Sequence, residues 1–270
     1  MILTVIKLKE YHNFRITNRK IMFNFLKKKN ALDFFIPEYL PFTTDIHSHI
    51  LPGIDDGSPD VATSLQLLKG IYDLGVRQTV ATPHVIADIY KNTPEIINTA
   101  LGILQVAAAD AGLDIKISAA AEYMLDDYFL KLLSEDAPLL CIHKNIILTE
   151  QSYASSSNNL NEIAFAIMTK GYRPIMAHPE RYFYYHNNFE SYNHLKDMGF
   201  LLQVNVLSLT GYYGKTVAKA AKYILDNDLA DFVGTDMHHT RHLSILQNKE
   251  SLELFKKHLS QKTFNVLSDF

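Results

Sequence analysis

The chain has 270 residues, of which 47% are apolar and 20% charged, and its formal net charge is −3. That size suits one large domain or two small ones, with enough apolar residues for a sizeable core. The near balance of charge argues against a nucleic-acid binder and against a disordered chain. Cys141 is the single cysteine, so an intrachain disulfide is excluded, and its apolar surroundings predict an inert buried thiol.

The N-terminal segment, residues 1–40, is predicted to be an extension that is poorly ordered at its start. Met22 opens a second plausible start, so residues 1–21 are expected to be an upstream extension. Early charges argue against a signal peptide, and no apolar run approaches the ~20 residues of a membrane span. The stretch MFNFLKKK predicts at most peripheral contact with an anionic membrane. These features and the lone cysteine together predict a cytoplasmic protein.

Short apolar runs alternate with helical stretches throughout residues 41–270. The seven predicted strands are TTDIH, VRQTVATPH, DIKISAAAEY, NIILTE, RPIMAHPE, FLLQVNVLSL and ADFVGTDMH. Ser58 and Pro59 predict the start of the first helix, and Thr93 and Pro94 predict the start of the second. Strands that alternate with helices form parallel sheets, and seven of them predict one α/β domain with a closed or nearly closed barrel. No Gly-rich phosphate-binding fingerprint follows the first strand, which argues against a dinucleotide-binding fold.

Polar side chains collect at the carboxyl ends of the predicted strands, which is where α/β barrels form their active sites. Nine of these side chains are candidate metal ligands: His47, His49, Asp56, His84, Glu122, Glu150, His178, Asp236 and His238. Converging carboxylates would repel one another without cations, so the arrangement predicts a metal site. Imidazole and carboxylate ligands without thiolate suit zinc, manganese or iron. Nine ligands exceed the needs of one ion and would serve two or three, with a carboxylate bridging them.

Three further polar residues lie near the candidate ligands in the sequence. Asp45 lies two residues before His47 on the same strand face, so it is predicted to support the ligands without binding metal. Asn205, carried by the sixth predicted strand, is assigned the same supporting role. Asp55 is a candidate general acid, with a turn role beside Gly57 as the alternative.

The motifs DIHSH, TPH, AAAEY, AHPERY and GTDMH together resemble the PHP (polymerase and histidinol phosphatase) superfamily. Within it, HILPGIDDG and AHPERY resemble the bacterial metal-dependent tyrosine phosphatases of the capsular and exopolysaccharide type. The resemblance runs from about Thr44 to the neighbourhood of Arg241 and leaves residues 1–40 without a counterpart. It implies a distorted (β/α)7 TIM-like barrel, the PHP fold, with a trinuclear site that is usually assigned manganese. The nine candidate residues match the family's metal ligands.

The resemblance also implies a phosphomonoester hydrolase that acts on phosphotyrosine in a protein, such as a bacterial tyrosine autokinase of exopolysaccharide assembly. Two metal ions would convert a water molecule into a hydroxide that attacks phosphorus. Arg181 matches a phosphate-contacting arginine and Arg241 is a looser match, while an ion pair with a carboxylate such as Glu180 is the structural alternative for Arg181. The tyrosine-rich segments 181–186 and 211–214 are expected either to stack on a substrate ring or to pack within their loops.

Two other functions are compatible with the sequence. One is a PHP phosphoesterase for a small molecule such as histidinol phosphate. The other is a non-catalytic partner of the polysaccharide-assembly kinase that keeps a structural metal site. The sequence has no deep basic patch, which argues against a nucleic-acid substrate. No surface helix carries a heptad seam, so no oligomeric state is predicted.

Overall fold

A computed structural model describes residues 39–269 of the chain, and most of the predicted extension, residues 1–40, lies outside that range. The strands are β1 (Thr44–Ser48), β2 (Gln78–Ala81), β3 (His84–Val85), β4 (Lys116–Ala119), β5 (Glu122–Met124), β6 (Ile146–Glu150), β7 (Arg173–Ala177), β8 (Leu201–Asn205) and β9 (Phe232–Gly234). The helices are α1 (Val61–Asp73), α2 (Pro94–Asp110), α3 (Asp127–Ser134), α4 (Leu160–Thr169), α5 (Glu190–Asp197), α6 (Lys215–Asp226), α7 (Thr240–Leu246) and α8 (Lys249–Leu259). Within this range, none of the helices has the length and apolar character that a membrane crossing requires.

The strands form one barrel, which confirms the predicted fold class. All pairings are parallel, in the orders β1-β2-β4 and β3-β5-β6-β7-β8-β9. The strands β2 and β3 are two halves of the second predicted strand, and β4 and β5 are two halves of the third, so seven strand positions surround the axis. The barrel closes next to β9, where the His49 amide donates to the Met237 carbonyl (2.9 Å) and the Asp236 amide donates to the His47 carbonyl (2.8 Å).

The break between β2 and β3 has a chemical cause in the sequence. Pro83 stands at the break and has no amide hydrogen to donate to a neighbouring strand. Its carbonyl instead accepts from the Glu122 amide at 3.1 Å, which begins the pairing of β3 with β5. The second strand therefore continues to pair with the third strand beyond the interruption, and His84 lies at the start of β3.

Two apolar clusters fill the two sides of the sheet. One cluster contains Ile146 and Leu148, while Ile147 between them belongs to the other, larger cluster. Since successive side chains of a strand point to opposite faces, the smaller cluster lies inside the barrel and the larger one lies under the helices. Glu150 follows Leu148 by two residues on β6, so its side chain also points into the barrel, at the carboxyl end of the strand.

Of the two predicted helix starts, the second agrees with the structure and the first differs. The side chain of Asp60, not Ser58, caps α1 by accepting from the Thr63 amide at 2.8 Å. The Ser58 hydroxyl instead donates to the Asp60 carbonyl at 3.0 Å and fixes the turn that precedes the helix. The prediction for α2 is correct, since Thr93 caps it and Pro94 is its first residue.

Two further differences concern the third helix and the sixth predicted strand. Helix α3 was not predicted, although Asp126 caps it by accepting from the Phe129 amide at 2.9 Å. The sixth predicted strand is too long, because the chain leaves β8 at Asn205 and forms the 3-10 helix Val206–Thr210. The Asn205 side chain begins that turn by accepting from the Leu207 amide at 2.9 Å.

Candidate metal centre

The carboxyl ends of the barrel strands bring the nine predicted ligands together. Within residues 39–269, four groups of histidine and carboxylate side chains place their nitrogen and oxygen atoms within 4.8 Å of one another. The groups are His49, Asp56, His84 and His238; His47, His49 and Glu122; His47, His178 and Asp236; and His84, Glu122 and Glu150. Each predicted ligand belongs to at least one group, and no other residue of the described range does.

Glu122 lies at the centre of the arrangement and is fully buried. Its Oε2 atom lies 3.3 Å from Nε2 of His47, 3.3 Å from Nε2 of His49 and 3.2 Å from Nδ1 of His84. Its other oxygen, Oε1, lies 3.0 Å from Nε2 of His178. One carboxylate therefore reaches four imidazoles, which is the geometry expected of a bridging ligand.

The outer group is the part of the centre that is open to solvent. The side chain of Asp56 is 51% exposed, and its Oδ1 atom lies 3.5 Å from Nε2 of both His84 and His238. The rings of His49 and His238 stack with their centroids 3.9 Å apart. Asp56 thus returns to the rim after the Pro-Gly turn and joins three histidines from different strands.

Several buried polar atoms of the centre make no hydrogen bond, and their chemistry shows whether the residues suit a cation. His84 Nδ1 lies 3.2 Å from Glu122 Oε2 and 2.8 Å from Glu150 Oε1, but none of these three atoms has the geometry of a hydrogen bond within the described structure. Unpaired buried polar atoms are costly, and nitrogen and oxygen donors of this kind suit divalent cations. The donor set therefore fits metal ions.

Charges within the centre shift the pKa values of its members strongly. Burial lowers the pKa of His49, but the charges and hydrogen bonds of Asp55 and Glu122 outweigh it, so the pKa is raised well above its usual value. Burial raises the pKa of Glu122, but His47, His84 and His178 outweigh it, so the pKa is lowered well below its usual value. These shifts favour a protonated His49 beside an ionised Glu122, and a divalent cation would compete with that proton for the same atoms.

Three histidines are oriented through their second ring nitrogen. Nδ1 of His47 lies 2.8 Å from Oε1 of Gln203, and Nδ1 of His49 lies 2.8 Å from Oδ2 of Asp55. Nδ1 of His238 lies 2.9 Å from the carbonyl oxygen of Asp236. Each oxygen can accept the Nδ1 proton, so a metal ion that displaced the Nε2 proton would meet a lone pair directed at the centre, as in metal sites generally.

The supporting residues predicted from the sequence lie behind the ligands. Both oxygens of Asp45 accept from Thr235, at 3.0 Å from its amide and 2.5 Å from its hydroxyl. Asp45 also accepts from the His47 amide at 3.3 Å, and burial raises its pKa to about 6 despite these hydrogen bonds. Asn205 donates from Nδ2 to Oδ2 of Asp236 at 2.9 Å. Asp45 therefore ties β1 to the segment before Asp236, while Asn205 contacts a ligand directly.

Asp55 is buried beneath the centre and all its contacts are structural. It accepts from the amides of Gly57 (2.9 Å) and His84 (3.2 Å) in addition to the contact with His49. Burial raises its pKa, but the charge and hydrogen bond of His49 outweigh burial and lower the pKa to about 2. A group that is ionised at neutral pH with both oxygens occupied fits the turn alternative better than the general-acid role.

Arg181 lies beside the ligands, paired with Asp236 and not with Glu180. Its Nη1 donates to Oδ2 of Asp236 at 2.6 Å, and its side chain is mostly shielded from solvent. Glu180 instead accepts from the Ser208 hydroxyl (2.7 Å) and from the Asn205 amide (2.9 Å). The ion pair with a carboxylate that was the structural alternative for Arg181 is therefore formed with Asp236 and not with Glu180, and it holds Arg181 beside the candidate ligands.

Arg241 lies further out than Arg181, at the start of α7. It is exposed, and its guanidinium carbon lies 5.4 Å from the centre of the Tyr212 ring. The loops therefore place Arg241 on the rim of the barrel with Tyr212, which belongs to the segment 211–214.

Two ligands have backbone conformations that are rare outside glycine. The φ angle is +33° at His178, which follows β7, and +48° at Asp236, which follows β9. Such conformations cost about 1–3 kcal/mol each and cluster at functional sites. Both residues belong to the candidate group of His47, His178 and Asp236. Four other non-glycine residues of the described range, which lie outside the candidate centre, also have positive φ.

Two residues of the site were missed by the sequence analysis. Gln203, which orients His47, lies two residues before Asn205 on β8, and this period-two spacing was an available signal. Tyr153 lies in the loop after β6, with its ring centroid 5.9 Å from that of His178. The loop around it has no periodic pattern, so the sequence contained no local signal for its position.

Comparisons with known proteins agree with this geometry. The family model described as "Capsular polysaccharide synthesis, CpsB/CapC" matches residues 43–268. The tyrosine-protein phosphatase CpsB of Streptococcus pneumoniae is 34% identical over 202 residues, which cover 72% of this chain and 82% of that protein. The tyrosine-protein phosphatase YwqE of Bacillus subtilis is 26% identical over 225 residues, which cover 83% of this chain and 88% of that protein.

A solved structure extends the comparison to three dimensions. It comes from crystal structures of YwqE from Bacillus subtilis and CpsB from Streptococcus pneumoniae, which are described as unique metal-dependent tyrosine phosphatases. The TM-score is 0.72 at 27% identity, and the match covers 83% of this chain and 89% of the other.

Proposed function

Because the chain belongs to the CpsB/CapC family of capsular polysaccharide synthesis, we propose that it removes phosphate from phosphotyrosine in a protein of capsule or exopolysaccharide assembly. It is a metal-dependent tyrosine phosphatase of the CpsB and YwqE type. The observation that carries this function is the convergence of four ligand groups at the mouth of the barrel, with Arg181 beside them. The activity is assigned to the domain of residues 41–270.

The proposed metal centre holds two or three divalent ions, with manganese as the expected metal and iron or zinc as alternatives. The nine candidate ligands would hold the ions, and Glu122 would be the carboxylate shared between them, because its Oε2 faces members of different groups. The four groups overlap in some residues but are not identical, and this partial overlap supports more than one ion. Nitrogen and oxygen ligands without thiolate favour the same metals.

The chemistry needs a nucleophile and a group that binds the phosphate. Bound divalent cations supply the Lewis acidity that brings the pKa of a water molecule towards neutrality. Arg181 donates one N–H group to Asp236, and its planar guanidinium carries further N–H groups that suit phosphate oxygens. Tyrosinate is a good leaving group, since tyrosine has a pKa of about 10, so protonation by a strong acid is not required. Asp55 accordingly serves to orient His49, and a phosphate contact by Arg241 stays a prediction.

The proposed substrate is a phosphotyrosine protein, namely a bacterial tyrosine autokinase of polysaccharide assembly. The support is the family's place in capsular polysaccharide synthesis. A small-molecule phosphoesterase of the histidinol-phosphatase kind is the second candidate, since the same centre would serve any phosphomonoester. A non-catalytic partner is disfavoured, because proteins that lose catalysis have no reason to keep nine converging ligands.

The test is hydrolysis of a phosphotyrosine peptide before and after complete chelation, followed by addition of Mn²⁺. We expect chelation to abolish turnover and Mn²⁺ to restore it, and turnover on histidinol phosphate to be lower. His178→Ala should abolish activity, whereas His194→Ala serves as the matched control because His194 is 78% exposed on α5. Activity that survives full metal removal would refute the proposal, and metal binding without turnover on any phosphoester would support the non-catalytic alternative.

A further inference from the structure

The loop after β6, residues 151–158, is held in place by three tyrosines of the segment after β7. The Gln151 amide donates to Oη of Tyr182 at 2.9 Å, and its side-chain Nε2 donates to Oη of Tyr185 at 2.9 Å. The Tyr184 hydroxyl donates to the Ser152 carbonyl at 3.1 Å. Most of the tyrosine-rich segment 181–186 therefore packs and bonds within the protein, and its role is to fix the loop that carries Tyr153.

Tyr153 is thereby placed over the two residues that define the proposed phosphate position. The guanidinium carbon of Arg181 lies 5.0 Å from the centre of the Tyr153 ring. The rings of Tyr153 and His178 are nearly parallel, at 18°, with centroids 5.9 Å apart. Tyr153 is nevertheless 41% exposed, so a large aromatic ring lies against the polar site with much of its surface open.

Tyr213 contacts the same arginine but is placed differently. Its ring centre lies 4.3 Å from the Arg181 guanidinium carbon, and its hydroxyl lies 3.3 Å from Nδ2 of Asn205, which also donates to Asp236. The hydroxyl of Tyr213 is therefore engaged behind the ligands. The Tyr153 hydroxyl is also engaged, 3.5 Å from Nδ1 of His178, but Tyr153 is the more exposed of the two residues and so has more ring surface open to a substrate.

We propose that Tyr153 is a specificity-determining residue whose ring packs against the leaving group of an aryl phosphate and so favours aryl over alkyl phosphates. The inference rests on the proposed function, because it takes the phosphate to bind between the metal ligands and Arg181. A phosphorus atom there has its ester oxygen close to His178 and Arg181, and Tyr153 contacts both. Aromatic rings attract one another at centroid separations of about 4.5–7 Å. The ring of an aryl phosphate bound in this position would lie within that distance of the Tyr153 ring.

The test uses two non-hydrolysable probes, phenylphosphonate and methylphosphonate, with binding to the manganese-loaded protein measured by calorimetry. Tyr153→Leu should weaken phenylphosphonate binding by about three- to tenfold and leave methylphosphonate binding unchanged. Tyr153→Phe keeps the ring and should retain the preference. Phe183→Leu is the matched control, since Phe183 is a 60% exposed aromatic residue on the neighbouring segment and should change neither affinity.

The outcomes separate this inference from the function on which it rests. Equal weakening of both phosphonates in Tyr153→Leu would overturn it and make Tyr153 a positioning residue for Arg181. Loss of the preference in Tyr153→Phe would also overturn it, because the hydroxyl and not the ring would then be responsible. A wild-type protein that binds phosphonate but hydrolyses no phosphomonoester would instead refute the proposed function. Thermal melting and metal content of each variant establish that its fold and its centre are intact.

Discussion

Replacement of Gln203 by leucine is expected to weaken metal binding without touching a ligand. Gln203 lies on β8, and its Oε1 atom lies 2.8 Å from Nδ1 of His47, with both residues fully buried. No other side chain in the described structure is hydrogen-bonded to Nδ1 of His47, while Nε2 of the same ring faces Glu122 and Asp236. The substitution therefore leaves a buried N–H group unpaired and frees the ring to rotate or to change tautomer.

The size of the effect follows from the unpaired donor. A buried donor without an acceptor costs about 1–3 kcal/mol, which corresponds to about a five- to a hundredfold change in an equilibrium constant. That range agrees with the roughly 10- to 100-fold loss of metal affinity that follows removal of a group that orients a ligand. We therefore expect the dissociation constant for Mn²⁺ to rise by a factor within this range.

The assay is competition for Mn²⁺ between the protein and a chelating dye, with circular dichroism as the measure of fold. Gln105→Leu is the matched control, because Gln105 donates a hydrogen bond to the Ile117 carbonyl (2.9 Å) far from the metal centre. A folded Gln203→Leu protein with wild-type affinity for Mn²⁺ would show that His47 does not depend on this contact. The assignment of Gln203 as an orienting residue would then be wrong.

Three other substitutions have defined outcomes. Arg181→Lys should lower kcat/KM for a phosphotyrosine peptide on the order of a hundredfold, because an ammonium group cannot make parallel N–H contacts to phosphate; unchanged kinetics would contradict this. Gly57→Ala should lower both Tm and manganese content, because a Cβ there would lie 2.1 Å from the His49 carbonyl oxygen, and a wild-type melting curve would show that the turn can shift freely. Gly102→Ala in α2 should raise the free energy of unfolding, measured in urea, by about 0.5–1 kcal/mol, since no heavy atom lies within 4 Å of the new Cβ. A free energy of unfolding below that of the wild type would mean that the helix surface is less open than described.

The convergence of the nine candidate ligands could be predicted from sequence because each lies near the carboxyl end of a predicted strand or in the loop that follows it. Parallel strands in a barrel end at one rim, so His84, Glu122 and His178 had to meet there once the strands were identified. The alternation of apolar residues along β6 likewise directed Glu150 inward. Local patterns sufficed wherever the strand direction decided the position of a side chain.

The contacts between distant segments could not be predicted in the same way. Gln203 and His47 are 156 positions apart, and nothing in either segment identifies the other as its partner. The loop that carries Tyr153 is fixed by tyrosine hydroxyls from a different segment. No periodic pattern in the sequence indicates these contacts. Even at short range, the competition between Ser58 and Asp60 for the cap of α1 was decided by how the preceding turn packs.

The closure of the barrel sets the order in which the site can mature as the chain is made. Two of the four ligand groups use only residues up to Glu150, whereas the other two need Asp236 or His238. The contact between Asp45 and Thr235 that helps to join the barrel spans 190 residues, and contacts between such distant segments form late in folding. The two groups that need only residues 47–150 could therefore come together before the last strand is made, whereas the full set of nine candidate ligands requires the segment after β9 to be in place.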